Sequence, residues 1–250
     1  MDNIVPSSLP KSQQIPFTNK YQQVISDLNW LSISTRPNIT AIVSLLLAHL
    51  NCPSQAHLDS ALHVIKYLVS TSSIGLHYTS NNKEAFHAFV HFPTNNDADK
   101  LQAYCDANWG PMDALVPKPN MVPPEQSVAS LRSLSGWFIM NTGALIAWGC
   151  ACHKDMVQSS CQAQVHSINE TTKLILEFKL LFRDLHLPLQ HTVEIKKDNK
   201  GAIQWSKGTT TKKMRWVDLW ENLVRENVIN QNVKVSHNPG KVNLSGIFTK

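Results

Sequence analysis

The sequence predicts an α/β protein in which one mixed sheet with flanking helices follows a small helical segment. Three observations carry this. Strand-like runs occur at 101–105, 136–141 and 144–148. A long run at 161–185 then keeps its apolar residues on helical spacing. After it, strand and helix alternate at 193–197, 200–206, 218–227 and 233–236. Strands first, then a long helix, then an alternation, is the pattern of one sheet covered by helices.

Taken in order, residues 1–19 carry Pro6, Pro10 and Pro16 among Ser and Gln, and are expected to form a linker. Residues 20–80 read as the helical segment. At 21–33, Val24, Ile25, Leu28 and Leu31 share one helix face. Arg36-Pro37-Asn38 breaks that helix, and Pro37 suits the first turn of the next one, at 39–49. Beyond Pro53, residues 56–70 place Leu58, Leu62, Ile65 and Leu68 in a third stripe, and 75–78 reads as a short strand. His57, His63 and His77 share no metal-binding spacing, so this segment is expected to be structural. Residues 81–100 are polar and read as a second linker; 101–250 is then the α/β domain. Within it, Gly143 supplies a hairpin turn between the second and third strands. Pro111, Pro117, Pro119, Pro123 and Pro124 make 111–126 too proline-rich for regular structure. The helix at 161–185 carries Val165, Ile168, Ile175, Leu176 and Phe182 among its apolar positions.

Composition excludes extremes. With 42% hydrophobic and 16% charged residues, the chain is neither disordered nor membrane-like. Its longest strongly apolar run, 41–50, is too short to span a bilayer. Five cysteines, an odd number, and a start without signal-peptide character point to a reducing, intracellular setting, cytoplasmic or nuclear. Net charge is +5, and the excess lies late: from His191 onward there are eleven Lys and Arg against five Asp and Glu. A phosphate-binding surface requires such a segment. Cys150-Ala-Cys152-His153, with Cys161 beyond, holds metal-compatible side chains, but a Cys-x-Cys at a strand end fits zinc poorly and buried cysteines are the expectation.

Asp106 stands out chemically. It closes a strand-like stretch in Ala103-Tyr-Cys-Asp-Ala-Asn-Trp-Gly110, where a carboxylate is well placed to hold a hard divalent cation. Downstream come Arg132-Ser-Leu-Ser-Gly-Trp137, Ile146-Ala-Trp148, Gln158-Ser-Ser-Cys-Gln-Ala-Gln164 and Lys197-Asp-Asn-Lys-Gly-Ala-Ile203. That ordered series resembles the ribonuclease H domain at the end of copia-type retrotransposon polyproteins. Ser32-Ile-Ser-Thr-Arg-Pro-Asn-Ile39, followed by Pro53, His57 and Tyr67-Leu68, resembles the segment joining reverse transcriptase to that domain. The polymerase turn Tyr-x-Asp-Asp is absent, so no DNA synthesis is expected.

The resemblance implies a ribonuclease H-like mixed five-stranded sheet that cuts the RNA strand of an RNA–DNA hybrid. Two Mg²⁺ (or Mn²⁺) ions about 4 Å apart would do the chemistry, held by four acidic residues. Asp106 and Asp198 match the first and third of these. The long-helix motif, usually Ser-Ser-x-Glu-Ala-Glu, is here Ser159-Ser-Cys-Gln-Ala-Gln164, so Gln164 replaces a ligand. The last motif, usually Ala-Asp-Ile-Phe-Thr-Lys, is Ser245-Gly-Ile-Phe-Thr-Lys250, so Gly246 replaces another. Glu170 lies about 240° further round the helix than Gln164 and should face elsewhere. Asp218 falls in Arg215-Trp-Val-Asp218, which resembles a structural and substrate-contact element, and His237 reads as a solvent-exposed loop residue. Impaired catalysis is therefore expected. The competing class is a binding module in which Lys196, Lys197, Lys200, Lys207, Lys212, Lys213 and Arg215 follow a phosphate backbone, with Trp205 and Trp216 interleaved. A relic with no activity is a third.

Overall fold

In a computed structural model the chain is described at residues 11–79, 100–109, 133–153, 157, 159–208, 222–240 and 243–249. The long proline-rich stretch, Lys212, Lys213, Arg215, Trp216 and Asp218 lie outside the described residues. Two units divide the chain, Met1–His77 and Tyr78–Lys250.

The first unit is helical. Helices α1 (Lys11–Ser34), α2 (Thr40–Leu47) and α3 (Gln55–Ser70) enclose Tyr21, Ile25, Leu28, Ile39, Val43, Leu46, Leu58, Ala61 and Val64. The expected linker therefore gives way at Lys11: α1 runs through Pro16, because Phe17 packs on this core and tertiary burial outweighs the missing proline N–H. The expected α3 stripe holds at Leu58, with Ile65 and Leu68 partly buried on this core, and fails at Leu62. Leu58, Ala61 and Val64 are buried, whereas Leu62 is largely exposed. Ser54 caps α3 by accepting from the His57 backbone N–H, while His57 Nδ1 accepts from the Ser54 N–H at 3.0 Å. His57 is thus a capping residue. Arg36 fixes the chain reversal before α2 by donating to the Thr71 carbonyl and hydroxyl at 3.0 and 2.6 Å. The expected strand at 75–78 has no ladder partner among the described residues.

The second unit holds the sheet, built from β1 (Gln102–Asn108), β2 (Leu134–Asn141), β3 (Ala144–Cys152), β4 (Val193–Lys197) and β5 (Val233–His237) in the order β3-β2-β1-β4-β5. Strands β1, β2 and β3 are antiparallel neighbours; β4 runs parallel to β1 and β5 parallel to β4. The reversal from β2 to β3 uses Thr142 and Gly143, both at positive φ, as a tight hairpin needs. One sheet face, with Ala103, Cys105, Ile139 and Ile195, packs on α4 (Ser160–Asp184), α5 (Lys200–Ser206) and α6 (Asn222–Ile229). The other face, with Tyr104, Phe138 and Met140, is covered by Phe248 from a 3-10 helix, Leu244–Phe248. That helix lies so close that a Cβ at Gly136 would collide with the Cβ of Phe248. The glycine of the Ser-Gly-Trp137 motif is there for the approach. Among the described residues no helix is long and apolar enough to cross a membrane.

Candidate functional site

The middle strand carries the site. Asp106 sits near the carboxyl end of β1, beside Gly136 of β2. Asp198 directly follows β4, which pairs with β1 in parallel register from Gln102–Glu194 through Tyr104–Lys196, so each aspartate lies two residues past the last pair. Asn199 then caps α5 by accepting from the Ala202 N–H at 2.9 Å, which ends the strand and turns the chain away. On the other side Ser159 caps α4, accepting from the Gln162 N–H, and Gln164 comes round within the next turn. Gln164, Asp106 and the segment 243–249 meet.

The meeting is tightly hydrogen-bonded. The Gln164 amide nitrogen donates to Asp106 Oδ1 at 3.1 Å and to the Ala107 carbonyl at 2.7 Å. Two acceptors fix the amide's orientation, since the flipped rotamer would aim an oxygen at both. The Thr249 hydroxyl donates to Asp106 Oδ2 at 2.7 Å. Asn243 ties the same C-terminal segment to β1 by donating to the Cys105 carbonyl at 3.3 Å. It also caps the 3-10 helix, its Oδ1 accepting from the Ser245 hydroxyl and backbone N–H. Gly246, within that helix, contributes only backbone: its carbonyl accepts from the Thr249 N–H at 3.2 Å.

Lys197 completes the cluster and corrects its expected role. It is completely buried (0% exposed), so it cannot lie on a phosphate track. Its ammonium donates to Ser167 Oγ at 2.9 Å and to the Cys105 carbonyl at 3.2 Å, and stands 4.0 Å from Asp106 Oδ1. The signal was present in the sequence. Strand side chains alternate, so Lys197 shares a face with the buried Val193 and Ile195, while Lys196 takes the opposite face, over the Tyr104 ring. Burial pushes the neighbouring Cys105 thiol up from its ordinary range.

The remaining expected residues divide. Lys200, the first residue of α5, and Lys207, which follows its last, are both exposed. Trp205 is core, 1% exposed, and Arg225 rests on its ring at 4.5 Å; it is no platform for a base. Glu170 pairs with Lys173 at 2.7 Å and lines a cavity of about 520 Å³ with His153 and His166, a lining that does not include Asp106. His153 is buried, stacked on His166, and hydrogen-bonded through Nε2 to Ser135 Oγ at 2.6 Å. Burial, then the His166 and Lys197 charges, push its pKa down to about 3. Cys150 donates its thiol to the Phe248 carbonyl. His237 is exposed at the end of β5. Sequence reasoning missed Thr249, Asn243 and Ser167, whose roles depend on contacts across the fold.

The donor set does not fit a pair of divalent ions. Both Asp106 oxygens are already accepting from neutral donors, and Gln164 turns its NH₂ toward the carboxylate where a ligand would turn an oxygen. Asp198 Oδ1 is buried and unpartnered among the described residues, yet no three His, Cys, Asp or Glu side chains there converge on a metal position. 

A mixed five-stranded sheet of this order with flanking helices is the ribonuclease H-like fold. The chain is a homologue of retrotransposon Pol polyproteins. Over 97% of its length it is 23% identical to the Retrovirus-related Pol polyprotein from transposon RE2 of Arabidopsis thaliana, and it spans only 15% of that polyprotein. It is 28% identical over 152 residues to a transposon Ty5-1 protein of Saccharomyces cerevisiae, covering 60% of this chain and 40% of that one. Similarity at 24% identity over 153 residues extends to Secreted RxLR effector protein 161 of Plasmopara viticola, covering 61% of this chain and 87% of that one. Among solved structures, LC11-RNase H1 isolated from compost aligns over 58% of this chain and 88% of its own, at 14% identity and a TM-score of 0.41. No protein-family model matches the chain.

Proposed function

We propose that this domain of retrotransposon ancestry no longer cuts RNA–DNA hybrids and acts as a hybrid-binding remnant. One observation carries the reading: Gln164 and Thr249 occupy both oxygens of Asp106 with hydrogen-bond donors. In the family that the sequence resembles, carboxylates at these positions hold Mg²⁺ or Mn²⁺; here a donor has replaced one and Gly246 another. A carboxylate satisfied by protein donors loses those bonds on accepting a metal, and an amide offers no charge in return. Grip on nucleic acid needs none of this. Exposed Lys200 and Lys207, with Lys212, Lys213 and Arg215 in the following segment, supply the positive charge for phosphate contacts.

The test is binding of a labelled RNA–DNA hybrid by the full chain in EDTA across a salt series. Binding should weaken steeply with salt, and Lys200→Glu with Lys207→Glu should lower the slope of log K against log salt by about 2, roughly one per lost phosphate contact. Affinity that ignored salt, or that appeared only with added Mg²⁺, would reject the reading.

A further inference from the structure

We propose that Lys197 is the resident cation of this site: its ammonium neutralises Asp106 from within and shuts out a divalent ion. This rests on the closed site argued above and adds what closes it, a fixed positive charge beside Gln164 and Gly246. Asp106 is buried, and its two short contacts, from the Gln164 amide and the Thr249 hydroxyl, bring no charge. A buried carboxylate without an opposing charge is strongly unfavourable. Among the described residues the positive group within reach is Lys197, 4.0 Å away.

The ammonium is held where it is. Its stem comes from the buried face of β4, and its head lies among three acceptors: Ser167 Oγ, the Cys105 carbonyl and Asp106 Oδ1. Ser167 in turn donates to the Gln164 carbonyl, which links Lys197 to the first turns of α4. A group with three donors and no acceptor matches that surrounding. Unlike a bound ion it cannot dissociate. A divalent ion brought to Asp106 would meet a fixed positive charge in a site with little water to screen it, and the repulsion is twice that felt by a monovalent ion. Restoring Gln164 and Gly246 to acids would therefore not restore the metal site.

The test uses full-length chains and a probe other than cleavage: saturable Mn²⁺ binding read by the electron-spin-resonance signal of free Mn²⁺, together with Tm in Mn²⁺ against EDTA. Three proteins are compared: the natural chain, Gln164→Glu with Gly246→Asp, and that pair with Lys197→Met added. The first two should show no saturable binding and equal Tm in both buffers. The third alone should bind Mn²⁺ saturably, with a Tm raised by Mn²⁺. Equal binding by the second and third, whether tight or absent, overturns the proposal. It would leave standing the proposal that the natural chain does not cut, which is tested separately by cleavage of a hybrid.

If the triple variant does not fold, a double-mutant cycle in the natural chain decides. Lys197→Met alone should lower Tm by roughly 6 °C or more, since it strands a buried carboxylate. In an Asp106→Asn background the same change should cost at most about half as much, because the charges act as a pair. Equal losses in both backgrounds would make Lys197 a packing residue and overturn the proposal.

Discussion

Gln164 presents one amide nitrogen to two acceptors, Asp106 Oδ1 and the Ala107 carbonyl. Replacing it by Glu turns both contacts into oxygen facing oxygen. Gln164→Glu in metal-free buffer should therefore lose about 1–3 kcal/mol, read as a lower urea midpoint at unchanged m-value. An unchanged midpoint would mean that the amide contributes nothing. His153 gives a second expectation at this scale. Its pKa falls from 6.5 unfolded to about 3 folded, so between those values the unfolded chain binds more protons. The stability from keeping it neutral is fully present above pH 6.5 and is lost as pH falls toward 3, by roughly 3 kcal/mol at pH 4. His153→Gln should flatten that part of the pH–stability curve; an unaltered curve would assign the acid sensitivity to other groups. Asp106, Asp198, Gln164 and Gly246 were legible as a motif with two replacements. Lys197 was misread because counting basic residues ignores which side of a strand each one occupies.

At the scale of elements, the 3-10 helix Leu244–Phe248 brings Thr249 to Asp106, and it can lie on the sheet only because β2 has Gly136 there. Gly136→Ala should push that helix away and destabilise the unit by about 1–3 kcal/mol, with faster proteolytic clipping near the C-terminus. Clipping at the natural rate would show that the helix does not depend on the close approach. Strands and the helices α4 and α5 were readable because their periods, 2 and 3.6, differ so clearly. The stripe of α3 was misplaced only at Leu62, because Ala61 and Leu62 are adjacent and both apolar, and spacing alone does not choose between them. The start of α1 was hidden by Pro16, a residue that breaks helices unless packing, here of Phe17, holds them. Thr249 and Asn243 had no local signature, since their partners Asp106 and Cys105 lie 143 and 138 residues away.

For the whole molecule, a helical unit and a ribonuclease H-like unit share one chain related over 97% of its length to a much longer polyprotein. In the second unit a five-stranded sheet with flanking helices surrounds a centre of neutral donors and one buried ammonium. What decides the molecule's activity is whether that centre can use a metal. The measurement is cleavage of a labelled RNA–DNA hybrid by the purified natural chain in Mg²⁺ and in Mn²⁺, beside the same chain in EDTA and an Asp106→Asn variant. The predicted result is no cleavage above the EDTA control in either metal. Metal-dependent cleavage that disappears with Asp106→Asn would contradict it, and would mean that Gln164, Thr249 and Lys197 yield Asp106 to the ion.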